Sequence, residues 1–518
     1  MERKSIAIIL ALILILTVGC SKTDESKDNV AGSSVSTQSG EEAQVTELSV
    51  HMHDDDGYTI FDSSLPVWKI AEEANNIVLK GTAPTTPLNS EEVFNLMLAA
   101  DEIPDIIHTK RANVLKYNEK LFLPLDELIE EHAPDLKALL EERQDVVKHM
   151  KAADGKMYYI PFIPDGEASM GWHIRKDWLD QLGLEVPSTY EDMLTVMKAF
   201  KDNDLNGNGI NDEVPFFSRR TLGIYDLLGI YGLVDVEYVE EGMVKNDLYS
   251  QDYKEGIIGL RNLYKEGLID AEIFTRGNTA RDMMFDDNIG GMTLDWFGST
   301  AGYQDKYVDQ IEGLDWIPMA PPADINGDVW IEYSRKTVED MGWGISINNE
   351  HPEETIKFMN YWFTEEGRRL MNYGIEGQTY DMVDGKAIFN EKTLSEGKSV
   401  LENMRLIGAQ TMIGFHQDFE YEKQWMNELA LEGAQMYIDN DYFIDLLPAL
   451  NYTDEEQKRI AKIEPQVKAY VEEMSQKWIL DAVSVEDTFD DYMKKLEELG
   501  AVEMMQIKQA AYERYLNN

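Results

Sequence analysis

The stretch Asp202-Asn-Asp-Leu-Asn-Gly-Asn-Gly-Ile-Asn-Asp-Glu-Val-Pro215 holds the residues best spaced for chemistry. Side-chain oxygens recur at Asp204, Asn206 and Asn208, then at Asp212 and Glu213, around Gly207 and Gly209. Short loops wrap hard oxygen donors around one Ca²⁺ in this way. Two registers fit. Counted from Asp202, Gly207 falls at the sixth position and Glu213 at the twelfth. Counted from Asp204, Gly209 falls at the sixth position and Asp212 puts an oxygen at the ninth, where the first register has Ile210. The second is preferred, with Ile210 giving its backbone carbonyl. The plainer reading is a polar Gly/Asn turn without metal, and the regular spacing of donors counts against it. A structural ion is expected rather than a catalytic one.

His51-Met-His53-Asp54-Asp55-Asp56 also has metal-binding residue types. Residues 51 and 53 share one face of a strand. A Zn²⁺ pair needs a third ligand, and none is identifiable. The favoured reading is a polar loop leaving a first strand, which can still border a ligand cleft.

Aromatic residues are the remaining signal, with 10 Trp and 25 Tyr. Trp172, Trp296 beside Asp295 in Leu294-Asp-Trp-Phe-Gly298, Trp330 and Trp343 sit near expected strand ends or glycines. Flat rings suit the apolar faces of sugars, while Asp, Glu, Asn and Arg satisfy hydroxyls. Burial in a core is the commoner fate of any one Trp. Trp178 and Trp362, inside expected helices, are read as core.

Other chemistry leaves no mark. Gly-rich phosphate loops, Gly-x-Ser-x-Gly and His-Glu-x-x-His are all missing. With 97 acidic residues a glycosidase carboxylate pair cannot be read from sequence, and nothing marks one.

These residues need elements to hold them. Val45–Met52 and Ile77–Lys80 read as strands with a helix over Leu65–Asn75 between them. Ser90 opens a helix with Val93, Leu96 and Met97 at helical spacing, and Pro104–Ile107 leads into a strand. Gly155–Pro161, Trp172–Arg175, Ile289–Phe297 and Gly342–Ile347 read as further strands. Ser188 and Glu191 form a capping box for a helix whose apolar face is Met193, Val196, Met197 and Phe200. That helix delivers the chain into the 204–213 loop. Further helices cover Asp252–Gly267 and His351–Phe363, and from Asp454 to Tyr515 the chain is helical with breaks near Ser484 and Gly500. Strands alternating with helices indicate an α/β fold.

Arg3 and Lys4, an apolar run from Ile6 to Val18, and Gly19-Cys20 form a secretory signal pattern, too short to span a membrane. Cys20 is the only cysteine, so no intrachain disulfide forms. Its place resembles a lipobox, and it is expected to carry an acyl anchor. Residues 1–19 are thus expected to be a signal peptide and 20–44 a polar tether. Net charge is −50. That disfavours nucleic acid and anionic membranes as partners.

Ile174-Arg-Lys-Asp-Trp-Leu-Asp-Gln-Leu-Gly183, Pro187-Ser-Thr-Tyr-Glu191, the Asp204–Glu213 loop with Pro215-Phe216, Gly374-Ile-Glu-Gly-Gln-Thr-Tyr380 and Lys477-Trp-Ile-Leu480 carry a resemblance. The chain resembles lipid-anchored solute-binding proteins of bacterial ABC importers, in the family 1 branch that includes alginate-oligosaccharide-binding proteins. The resemblance implies two α/β lobes, a hinge and an interlobe cleft. Lobes are expected over 45–165 with 335–390, and 166–334 with 391–518. It implies a structural Ca²⁺ at Asp204, Asn206, Asn208, Ile210, Asp212 and Glu213. It also implies an oligosaccharide ligand, separate permease subunits, a monomer held outside the membrane, and no catalysis. Trp172, Asp295, Trp296, Trp330, Trp343 and Glu376 are the candidate ligand contacts.

Overall fold

The computed structural model describes residues 45–53, 60–85, 88–220, 222–395 and 399–517. Cys20, the expected tether and Asp54, Asp55 and Asp56 lie outside the described residues.

A five-stranded sheet runs in the order Ile77–Gly81, Thr46–His51, Ile106–Lys110, Met341–Ile345, Ile160–Pro161. The first three strands are parallel; Met341–Ile345 is antiparallel to both its neighbours. Helices return the chain between the parallel strands. Pro66–Asn75 starts on a proline, whose fixed φ suits a first turn, and stops at Asn76 with φ 53°. It buries Val67, Trp68 and Ala71. Ser90–Ala100 is capped by Asn89, not Ser90, with Asn89 Oδ1 accepting from Glu92 N at 2.9 Å. Its apolar face is Val93, Phe94 and Met97, leaving Leu96 exposed. The Gly155–Pro161 expectation shrinks to a two-residue strand, with Gly342 packed so tightly that a Cβ there would sit 2.3 Å from Ile160 O.

A second sheet runs Trp316–Met319, Met170–Arg175, Gly290–Trp296, Val214–Phe216. All six residues of Met170–Arg175 are buried. Three C-terminal helices, Asp454–Ile479, Val485–Leu499 and Ala501–Asn517, pack beside this sheet's core through Ile463, Val467, Trp478 and Phe489. Their breaks are the expected ones. Ser484 caps the second, and Gly500, at φ 98°, adopts the left-handed turn that ends it.

Each sheet has its own core. One gathers residues from Leu48 to Ile163 and from Val338 to Tyr421; the other takes Ala168 to Ile331 and Met426 to Met504. The chain therefore crosses between Ile163 and Ala168, between Ile331 and Val338, and between Tyr421 and Met426. The third crossing falls later than residue 390, because Val400, Met404, Ile413 and Phe415 fill the first core. Phe415 packs against Phe162 with the rings tilted and their centroids 5.1 Å apart.

Candidate functional site

The crossings are tied to one another. Arg335 N donates to Glu167 O at 2.6 Å, and Ser169 Oγ to Tyr333 O at 2.9 Å. Ile163 N donates to Phe415 O at 2.9 Å, and His416 Nε2 lies 2.6 Å from Asp165 Oδ1. A cavity of about 630 Å³ opens against this bundle. That is the size of a small-molecule site (~300–1,000 Å³). Phe162, Gln410 and Met412 line it from the first core's side, Met170, Trp296 and Ser299 from the second's.

Trp296 dominates this wall. The pairing of Met170 with Trp296 ends the strand at the cavity rim. Asp295 is buried there, held by Arg219 Nε at 2.6 Å and Nη2 at 2.9 Å. Its Oδ1 accepts from Trp296 N at 2.8 Å. Phe297 is buried on the other side. Trp296 itself remains 40% exposed, a large apolar surface pinned from both neighbours. Trp425 and the buried Tyr421 add to the aromatic lining, and Trp425 packs against both cores. These two were not singled out from the sequence. Their spacing, Tyr421 and Trp425 four apart around the short helix Phe419–Lys423, was the available signal.

The other candidate contacts are placed elsewhere. Trp343 is fully buried in the first core, and Trp172 is buried against Phe216 in the second. Trp330 points its Nε1 at Asp324 Oδ2, 3.1 Å away. Glu376 is exposed and does not line the cavity. Asp295 supports Trp296 rather than lining the cavity. Trp178 and Trp362 are fully buried.

A separate groove of about 860 Å³ also borders Ser334, Arg335 and Lys336. Protein already spans it: Arg111 Nη1 donates to Leu450 O at 3.1 Å, and Nη2 to Asn451 Oδ1. It also lacks a ring exposed like Trp296.

Behind the second crossing lies a buried acidic group. Asp226, Glu332 and Tyr333 line a small void of about 30 Å³, room for a water. Burial pushes the Asp226 carboxyl up to about 6, against the pull of Arg220. Glu332 is raised well above the carboxylate range, by burial and by the neighbouring Asp235. A carboxyl raised in the folded state binds its proton more tightly there than in the unfolded chain. Its stabilising effect is complete below the unfolded value and is lost as pH rises through the folded one. Gln mimics the protonated acid. Glu332→Gln is therefore expected to be more stable than the wild type by an amount that grows from pH 5 to pH 8, by at most about 1.4 kcal/mol per pH unit. Parallel melting curves of the two proteins across that range would remove Glu332 as a titrating group.

The 204–213 loop sits at the end of the helix Tyr190–Asp202 and runs into the strand Val214–Phe216. The helix buries Met193, Val196, Met197 and Phe200 as expected. Its cap is one residue later than Ser188: Thr189 Oγ1 accepts from Asp192 N at 3.2 Å. Within the loop Asp204 Oδ1 accepts from Asn208 N at 3.0 Å and Oδ2 from Gly209 N at 2.8 Å. Asn206 Oδ1 also accepts from Asn208 N, and Asn208 Oδ1 from Ile210 N at 2.7 Å. Gly207 and Gly209 have φ of 74° and 87°, which a side chain would strain. Glu213 is buried; its Oε1 accepts from Asn206 N at 3.0 Å, while Oε2 is buried with no hydrogen-bond partner among the described residues.

An orphaned carboxylate oxygen beside clustered oxygen donors fits a hard cation. Asp204, Asn206, Asn208, Asp212 and Glu213 would hold it with the Ile210 carbonyl. In this structure the amides of Asn206 and Asn208 turn onto Asp212 Oδ1, at 3.3 and 3.0 Å. Among the described residues, no three His, Cys, Asp or Glu side chains gather as metal ligands do, at this loop or at His51 and His53. His51 and His53 are buried, and burial with His108 nearby lowers His51 to about 4.

Comparison with known proteins agrees with this architecture. Residues 85–369 match the family described as bacterial extracellular solute-binding protein. The fructooligosaccharide ABC transporter substrate-binding protein FusA of Streptococcus pneumoniae serotype 4 is 28% identical over 470 residues, 82% of this chain and 83% of FusA. The crystal structure of the alginate-binding protein AlgQ2 without calcium ion superposes with a TM-score of 0.82 at 35% identity, covering 91% of this chain and 98% of AlgQ2. An EF-hand mutant of FusA with fructo-nystose superposes at 0.74 with 22% identity, covering 91% of this chain and 100% of that one. The chain has the two-lobe α/β fold and belongs to the bacterial extracellular solute-binding protein family.

Proposed function

We propose that this protein captures an oligosaccharide outside the cell and delivers it to an ABC-type importer. The exposed Trp296, held at the rim of the cavity between the two cores, is the observation that carries the reading. A rigid ring stacks on the apolar face of a sugar, and the half-buried Trp425 extends that surface. FusA and AlgQ2, which bind fructooligosaccharide and alginate, support the ligand class. The crossings act as the hinge. Ligand contacts available only when the lobes close shift the population towards the closed form. No bond in the ligand needs to break. The permease and ATPase subunits are separate chains, and an acyl group on Cys20 tethers the monomer to the membrane.

Ca²⁺ at Asp204, Asn206, Asn208, Ile210, Asp212 and Glu213 clamps the loop to the second lobe, away from the cleft. The calcium and EF-hand described for AlgQ2 and FusA support this part.

A thermal-shift screen of oligosaccharides, with product analysis of each hit, tests the proposal. Stabilisation by a glycan that is recovered intact is the expected result. Cleavage of the glycan, abolished by substitution of an acid in the cavity, would instead make the protein a hydrolase.

A further inference from the structure

Three cations line the cavity, Arg335, Lys336 and Arg405, together with Glu339 and Glu422. A guanidinium is the side chain that best grips a carboxylate, because its fork matches both oxygens. Here the fork nearest Trp296 is already filled. Arg335 Nη1 donates to Glu422 Oε1 at 2.8 Å and Nη2 to Glu422 Oε2 at 2.6 Å, with both side chains largely buried. The Arg335 guanidinium lies 5.9 Å from the centroid of Trp296 and 5.7 Å from that of Phe419, so the pair is fixed beside the stacking surface. Lys336 Nζ is 3.2 Å from Glu339 Oε2, and Arg405 Nε donates to Gln410 O at 3.4 Å. A ligand carboxylate entering here meets Glu422 with its partner already taken. The chain's net charge of −50 adds a repulsive field.

We infer that the cleft takes an uncharged oligosaccharide, and that the Arg335–Glu422 pair excludes acidic sugars. Hydroxyls both donate and accept, so a neutral glycan loses nothing to a pair that is internally satisfied. A uronate beside Trp296 gives up its hydration without gaining the Arg335 fork, which Glu422 holds, and this is discrimination by an unfavourable contact. The inference rests on the carbohydrate reading above.

Titration calorimetry against neutral and uronate oligosaccharides of matched length tests it. A neutral glycan is expected to bind at least a hundredfold more tightly than any oligouronate. An oligouronate as the tightest ligand overturns the inference and leaves the carbohydrate reading standing. A panel in which no glycan binds overturns both. Glu422→Gln opens the fork and is expected to raise oligouronate affinity at least tenfold. A folded Glu422→Gln protein with no such gain removes the pair as the excluding element. The wild-type panel decides the ligand's charge whether or not that variant folds.

Discussion

Trp296→Ala is expected to weaken binding of the cleft ligand by about 30-fold or more while leaving the fold intact. Trp296 is 40% exposed and belongs to neither core, so little core packing is lost with it. Exposed substitutions of this kind change stability by about 0.5 kcal/mol or less. Binding is another matter. A rigid aromatic that stacks on the ligand contributes about 2 kcal/mol or more, which is about 30-fold in Kd. Rigidity is built in here: Asp295 fixes the Trp296 backbone, Arg219 fixes Asp295, and Phe297 is anchored in the core. Trp343→Ala should do the reverse. That ring is fully buried, and its loss costs about 3–5 kcal/mol of stability. Calorimetry with the sugar found by screening, alongside melting curves, separates the two. Unchanged affinity in Trp296→Ala would end its role as the stacking surface.

The second large effect concerns the 204–213 loop. Wild-type protein should melt about 3 °C higher at a Ca²⁺ concentration a hundred times its Kd than in chelator, from about 2.7 kcal/mol of linked stabilisation. Asp204→Ala should abolish that shift. Glu213→Gln is the sharper variant. The Gln oxygen still accepts from Leu205 N and Asn206 N, so the apo loop is kept. Its amide group replaces Oε2, the oxygen without a partner, and cannot ligate a cation. The expected outcome is a wild-type melting point in chelator with no response to Ca²⁺. A Glu213→Gln protein that responds like the wild type would show that the orphaned oxygen faces no ion.

Much of the local structure was legible. Helix and strand periodicity placed the alternating elements, and the C-terminal helices broke at Ser484 and Gly500 because cap chemistry is local. Errors of one residue arose where adjacent residues compete for the same role. Asn89 took the cap from Ser90, and Thr189 took it from Ser188, since the capping oxygen must come from the residue with extended backbone. Leu96 kept helical spacing and still faced solvent, because Phe94 supplied the apolar face instead.

The site was less legible than the fold. Trp172, Trp296, Trp330 and Trp343 look alike in sequence, each near a strand end or glycine. Only register separates them. Trp343 lies within a central strand of the first sheet, whereas Trp296 ends its strand at the cavity rim. Tyr421, Glu422 and Trp425 share one short segment, but Arg335 comes from a distant one, and no spacing rule links residues 335 and 422.

By itself, the sequence determined the α/β pattern, the oxygen-donor spacing at 204–213 and the acidic surface, because these depend on neighbours a few residues apart. Tertiary structure alone decided which tryptophan is exposed, where the third crossing falls, and that Arg335 spends its fork on Glu422. Those outcomes depend on how two separately packed cores bring remote segments together, and that information is not carried by any one stretch of chain.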